Sequence, residues 1–150
     1  MNSIDLIRSV RCITKAYDGV LKKICARFGL NMLEVKVISF LHNNPQMNTA
    51  GDIAEYRMLS KGNVSQAVES LTRSGYMESS RDASDRRRVY LRLSAKAENI
   101  TDMIDAEWKK FDGKLFGNFS DEELALYDSF KERLMGNAIA VIKENGGSDE

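Results

Sequence analysis

The chain has 150 residues, a length that suits one folded domain, and its 43% hydrophobic and 29% charged content is typical of a soluble globular protein. No apolar run approaches the roughly 18 residues of a membrane span, and the first residues lack the pattern of a signal peptide, so we expect a cytoplasmic protein with no membrane partner. The net charge is zero, but residues 60–96 carry eight basic and four acidic side chains, whereas residues 97–150 carry six and 13. The basic middle segment predicts local attraction to a polyanion.

The first helices follow from hydrophobic spacing and capping residues. Apolar side chains at steps of three and four predict a long helix over about 4–28, which Gly29 ends. Asn31 begins a second helix as its N-cap, with Glu34 as the capping-box partner. The Asn-Asn-Pro sequence at 43–45 ends that helix.

Two shorter helices and a hairpin are predicted next. Thr49 caps a short helix with Tyr56 among its inward side chains, and Ser60 caps a further helix that ends before Gly75. Residues 76–81 and 88–93 are predicted to form two strands joined by a turn. Ser94 and Ser120 are predicted to cap the last two helices. Those helices, over about 95–143, carry long apolar stripes.

This order of elements predicts a mainly α fold with a small β-hairpin, of the α+β winged helix-turn-helix type, within one domain over 1–150. The winged domain is expected over about 31–94, with the helix-turn-helix at 49–74 and the wing at 76–93. His42, the sole histidine, forms no predicted zinc site or catalytic pair. We therefore expect no enzyme, no metal and no cofactor.

The predicted helix after Ser60 has two different faces. Val64, Ala67, Val68 and Leu71 cluster on the inward side at 100° per residue. The exposed N-terminal half offers amide, hydroxyl and lysine groups that suit base edges in a major groove, and Gly62 permits close approach of the backbone to DNA. The alternative interpretation is an ordinary solvated surface.

The predicted hairpin tip carries four arginines, at 81, 86, 87 and 88. A narrow cationic tip fits the minor groove, where negative potential is concentrated. Asp85 is expected to orient an arginine through a bidentate pair. The alternative is a hydrophilic hairpin that protects a sheet edge.

The sequences SKGNVSQAVESL at 60–71 and DASDRRRVYLRLS at 82–94 resemble the MarR family, and the likeness extends over nearly the whole chain. The resemblance implies a DNA-binding transcription regulator in which Arg87, paired with Asp85, enters the minor groove. It also implies a homodimer, joined through helices at about 4–28 and 95–143, on a palindromic operator. The full set of expected DNA contacts is Thr49, Ser60, Lys61, Gly62, Asn63, Ser65, Gln66, Arg73, Arg81, Asp85, Arg86, Arg87 and Arg88.

The resemblance further implies a repressor that a small phenolic or anionic effector releases from DNA. The expected effector lining is Arg11, Lys15, Val37, Phe40, Met103 and Trp108, with ordinary core packing as the alternative. Some relatives sense oxidants through an N-terminal cysteine, which makes Cys12 an alternative sensor, although we expect Cys12 and Cys25 to be buried and unreactive. A protein-binding adaptor, suggested by the acidic C-terminal third, is the other alternative.

Overall fold

The computed structural model describes residues 2–146, and its fold is mainly helical with one two-stranded antiparallel sheet, as predicted. The expected domain boundary also includes Met1 and residues 147–150, which lie outside the described residues. The chain forms two compact units, Met1–Phe111 and Asp112–Glu150. The elements are α1 Ser3–Phe28, α2 Met32–Asn43, α3 Ala50–Arg57, α4 Lys61–Arg73, β1 Met77–Arg81, β2 Val89–Leu93, α5 Glu98–Leu115 and α6 Asp121–Glu144.

Side-chain caps begin the helices at the predicted positions. The Asn31 side chain accepts a hydrogen bond from the Glu34 backbone N–H while the Glu34 carboxylate accepts one from Asn31, which completes the predicted capping box of α2. Thr49 and Ser120 make equivalent capping boxes at α3 and α6. Gly75 follows α4 with a φ of 81°, a left-handed conformation that favours glycine.

The entry to α5 differs from the prediction. Ser94 precedes a 3₁₀ turn, Ala95–Ala97, and α5 begins only at Glu98. The Ser94 hydroxyl makes no cap bond, because it donates instead to the Gly75 carbonyl oxygen at 2.6 Å. Ser94 therefore ties the end of the hairpin to the turn that follows α4.

The hydrophobic core lies in the first unit, among the second half of α1, α2, α3, α4, the base of the hairpin and the first half of α5. Its fully buried side chains include Leu21, Ile24, Val35, Ile38, Ile53, Leu71, Ile100 and Ile104. The prediction that Tyr56 faces inward is wrong, because 58% of its surface is exposed. Its ring lies over Phe40, 6.3 Å between centroids, because Ile53 and Ala54 already fill the inward face of the short α3.

Two helical surfaces remain apolar and exposed. The first half of α1 exposes Ile4, Ile7, Val10 and Ile13, each at least 46% accessible. Within Asp121–Glu144, α6 buries no residue. Its exposed apolar side chains are Leu126, Tyr127, Phe130, Leu134, Met135, Ile139, Val141 and Ile142. Large exposed apolar surfaces of this kind are rare on monomeric proteins and mark sites of association.

Candidate nucleic-acid interface

Helix α4 is amphipathic, with the two faces that its sequence predicts. Val64, Ala67 and Leu71 are buried, and Val68 is half-buried against the same core. This buried face packs α4 against α2 and α3 and leaves the opposite face open to solvent. A rigid helix with one free polar face can present side chains to a groove at fixed positions.

The N-terminal end of α4 presents unpaired polar groups. Lys61, Asn63, Ser65 and Gln66 are exposed, and no side chain of these four bonds to another residue within 2–146. The Ser60 hydroxyl is engaged, since it accepts a hydrogen bond from the Asn63 backbone N–H at 3.2 Å. Lys61, Asn63, Ser65 and Gln66 are therefore free to bind a ligand, while Ser60 shapes the helix end.

Gly62 lies on this exposed end without an internal reason to be glycine. A Cβ added at Gly62 would meet no atom within 4 Å, and its backbone is not in the left-handed region. Glycine in a helix is less favourable than alanine by about 0.5–1 kcal/mol. The missing side chain therefore leaves space for a ligand to approach the α4 backbone at Gly62.

A buried carboxylate holds α4 against α2. Glu34 is only 7% exposed, and its second oxygen accepts a hydrogen bond from the Ser70 hydroxyl of α4. One side chain thus caps α2 and fixes the neighbouring helix. The capping role of Glu34 was predicted, but the bond to Ser70 was missed because the partners are 36 residues apart.

Two predicted contact residues already have partners. The Arg73 guanidinium pairs with Glu69 at 3.1 Å, one helical turn earlier, and both side chains are exposed. The Thr49 hydroxyl accepts a hydrogen bond from the Asp52 backbone N–H at 3.1 Å, and Thr49 is half-buried. Thr49 therefore serves first as the cap of α3, whereas the exposed pair of Arg73 is easily exchanged for another anion.

The hairpin forms a wing whose base is fixed to the core. β1 and β2 pair in a register from Met77 opposite Leu93 to Arg81 opposite Val89. Met77 and Leu91 are buried, and the Leu91 N–H donates to the Asn48 carbonyl oxygen at 2.7 Å. The wing therefore stands at a defined position beside α4.

The tip of the wing is a turn organised by two aspartates. Asp82 accepts hydrogen bonds from the backbone N–H and hydroxyl of Ser84, at 2.9 and 2.8 Å, and from the Tyr90 hydroxyl at 3.2 Å. The bonds from Ser84 hold the pKa of the Asp82 carboxyl below its ordinary value. The ionised form of the Asp82 carboxylate is therefore the one that the turn stabilises.

Asp85 does not make the expected bidentate pair. Its carboxylate accepts a hydrogen bond from the backbone N–H of Arg87 at 3.0 Å, and no ion pair joins Asp85 to a guanidinium within the described part of the chain. An aspartate two residues before an N–H closes such a turn locally, without recruiting a side chain. The four tip arginines are all exposed, and the Arg87 guanidinium has no partner among residues 2–146.

The structure does not bring the six expected effector residues together. Arg11 and Lys15 lie on an open face of α1, with Leu6 and Val10 beside them. Val37 is fully buried and Phe40 is 6% exposed, because α2 passes through the centre of the core. The remaining two, Met103 and Trp108, are half-buried against that core.

The two cysteines differ in exposure. Cys12 is exposed, so the prediction that it is buried is wrong, because it lies in the half of α1 that has no core contact. Cys25 is partly buried, and that burial raises the pKa of its thiol. Both are free thiols.

Two features are absent from residues 2–146. No group of three histidine, cysteine, aspartate or glutamate side chains in this range is arranged to hold a metal ion. Likewise, none of the helices in this range combines the length and apolarity needed to cross a membrane.

Comparisons with known proteins agree with this geometry. A family model described as the MarR family matches residues 28–88, from the end of α1 to the tip of the wing. The chain is also 31% identical over 117 residues to an uncharacterized HTH-type transcriptional regulator, YcgE, of Bacillus subtilis strain 168, covering 77% of this chain and 72% of that protein. The chain belongs to the MarR family.

Solved structures show the same fold for this MarR family regulator. A MarR family regulator from Neisseria meningitidis aligns with a TM-score of 0.74 at 23% identity, covering 97% of this chain and 99% of that one. The structure of the S. aureus MepR–DNA complex aligns with a TM-score of 0.72 at 17% identity, covering 86% and 93%. The winged helix-turn-helix is therefore the fold of this transcription regulator.

Proposed function

We propose that this MarR family protein is a ligand-responsive repressor that binds a palindromic operator as a homodimer. The observation that carries the proposal is the combination, in one chain, of an unpaired polar end of α4 and a wing tip with four exposed arginines. Both features are charged or polar, and neither contributes to the core. They match the two parts of a duplex that such a fold reads, the major groove and the adjacent minor groove.

In the major groove, the α4 side chains have distinct roles. Gln66 and Asn63 each carry an amide that can bond to adenine in a bidentate manner, and Lys61 can donate to guanine. Ser65 can bond to several bases. Gly62 lets the helix approach the base edges, since no Cβ projects from that face.

In the minor groove, Arg87 is the proposed probe. Its backbone N–H is held by Asp85 while its guanidinium is free, so the turn presents the side chain outward. Arg81, Arg86 and Arg88 add positive charge that favours phosphate contacts. Asp85 thus acts on DNA indirectly, by shaping the loop.

The homodimer is supported by the apolar surfaces of α1 and α6. These surfaces are exposed in the single chain, and burying such area is the main driving force of association. A two-fold axis would place two copies of α4 about 34–36 Å apart, one turn of DNA, on a palindrome.

The effector is proposed to bind along α1. The α1 face around Arg11, Lys15 and Lys22 carries three cationic groups, and its one carboxylate, Asp18, is paired with Lys36. With the apolar Leu6 beside them, these cations suit a small aromatic anion. Such a ligand weakens DNA binding only if it favours a dimer whose α4 spacing does not fit the operator.

Selection of duplexes from a random DNA pool tests the function. We expect a near-palindrome to be enriched, and its affinity by fluorescence anisotropy to fall steeply with salt, by about 0.9 log units per log unit of salt for each phosphate contacted. Sedimentation of the complex should give two chains per duplex. A wild-type protein that enriches no sequence and binds no duplex at low salt would refute the proposal.

Gln66→Ala tests the reading of bases by α4, with Glu55→Ala on the exposed side of α3 as the surface control. We expect selection with the Gln66 variant to lose preference at one base-pair position in each half-site, by about 1–3 kcal/mol. The control should keep the wild-type preference. An unchanged preference in the Gln66 variant would remove this side chain from base recognition.

A further inference from the structure

Helix α3 makes a polar contact with the long helix α1 through its last residue. The Arg57 guanidinium donates a hydrogen bond to the Tyr17 hydroxyl at 2.9 Å, and its carbon lies 5.3 Å from the centroid of the Tyr17 ring. Both side chains are half-buried. Contact with a ring and a hydroxyl together restricts the guanidinium more than a surface ion pair does.

The same tyrosine also contacts α5. The rings of Tyr17 and Trp108 lie 4.8 Å apart between centroids, and Trp108 makes an edge contact with Phe111 at 5.3 Å. Tyr17 therefore joins three helices at one point: α3 through Arg57, its own α1, and α5 through Trp108. We call Arg57, Tyr17 and Trp108 the joint.

The joint lies close in sequence to the recognition helix. Only Met58, Leu59 and Ser60 separate Arg57 from the start of α4. The Leu59 N–H donates to the Ala54 carbonyl oxygen at 2.9 Å, so the short connection is itself held to α3. A rotation of α3 about the joint would therefore be transmitted to α4.

We propose that Arg57 and Tyr17 are positioning residues that fix the angle of α3 and α4 against the long helices, and so determine which half-site spacing the dimer accepts. The inference rests on the proposed function, because spacing matters only if a dimer reads two half-sites. One added base pair shifts a half-site by about 3.4 Å and turns it by about 34–36° around the DNA axis. A dimer with a rigid joint cannot follow that change without strain, whereas one with a loosened joint can.

The joint also gives a preorganised dimer at its preferred spacing. Fixing α4 before binding lowers the entropy lost when the complex forms. Loosening the joint should therefore weaken binding at the preferred spacing and weaken it less, or not at all, at neighbouring spacings. A residue that only stabilises the fold would lower affinity equally at every spacing.

Tyr17→Phe removes only the hydroxyl of the joint. The phenylalanine ring retains the tilted contact with Trp108 and the face beneath Arg57, so the emission maximum of Trp108, the sole tryptophan, should be unchanged. Tyr56→Phe is the matched control, because that neighbouring tyrosine is exposed and its hydroxyl bonds to no residue within 2–146. Arg57→Gln removes the donor cation and serves as the second variant.

The experiment measures anisotropy on the duplex that the wild-type protein selects, and on duplexes with one base pair added to or removed from its centre. We expect Tyr17→Phe and Arg57→Gln to lose about fivefold in discrimination between the selected and altered spacings, the scale of one hydrogen bond. The Tyr56 control should discriminate as the wild type does.

Two results would overturn the inference while leaving the proposed function intact. In the first, both joint variants discriminate between spacings as the wild type does. In the second, they lose affinity equally at all three spacings. If Tyr17→Phe fails to fold, Arg57→Gln decides by the same comparison. The proposed function is refuted if the wild-type protein selects no duplex. That result is distinct from an equal loss of affinity at all three spacings in the joint variants.

Discussion

Replacing Gly62 with alanine should separate stability from DNA binding. The added methyl group meets no atom within 4 Å, and alanine is preferred to glycine by about 0.5–1 kcal/mol in the middle of a helix, which is the upper bound for the second residue of α4. The free energy of unfolding should therefore rise, with a melting temperature up to about 4 °C higher for a chain of this size. The same methyl group projects from the face proposed to enter the major groove. It should cost about 1–3 kcal/mol of DNA affinity, the usual cost of overpacking a close contact.

Thermal unfolding by circular dichroism and anisotropy on the selected duplex measure the two effects of Gly62→Ala. Gly19→Ala is the matched control, because a Cβ at Gly19 in α1 also meets no atom within 4 Å and Gly19 lies outside α4 and the wing. The control should gain stability without losing DNA affinity. If Gly62→Ala binds the duplex as tightly as the wild type, α4 does not approach the base edges at this residue.

Three further results are expected. Arg87→Ala should weaken binding of the selected duplex, and the slope of log affinity against log salt concentration should fall by about one, because one cation leaves the interface. Anisotropy across a salt series measures both, and an unchanged slope would mean that Arg87 does not contact DNA. Ser70→Ala deprives the buried Glu34 carboxylate of a donor, so urea unfolding should show a loss of about 1–3 kcal/mol; no loss would mean that water replaces the hydroxyl. NMR titration of Asp82 should give a pKa below the ordinary value of an aspartate, because the bonds from Ser84 favour the carboxylate. The turn should then keep its stability above that ordinary value and lose it as the pH falls through the lowered one, whereas an ordinary pKa would contradict the bonded turn.

Features set by neighbours three or four residues apart were readable from the chain. The capping boxes at Asn31 and Ser120, the end of α4 before Gly75 and the inward face of α4 all depend on local hydrogen bonds or helical periodicity. The turn that begins at Asp82 was likewise evident from its composition, although Arg88, predicted in the second strand, lies before β2. Such patterns also predicted the winged helix fold, whereas the family was implied by the resemblance of residues 60–71 and 82–94.

Other features, both local and distant in sequence, needed the folded structure. Local spacing could not show that the Asp85 carboxylate would bond to a backbone N–H, since a guanidinium lay equally near in sequence. Val37 and Phe40 were expected at a ligand site, but the packing of α2 on every side places them in the core.

The sequence alone therefore determined the order of helices, their caps and the polar, basic surfaces that α4 and the wing present. The tertiary structure alone decided how those surfaces are held. Glu34 reaches Ser70 across 36 residues, and Arg57 reaches Tyr17 across 40. The physical reason is that helix caps and periodicity arise within one or two turns of backbone, whereas these bonds exist only after the core has brought separate helices together.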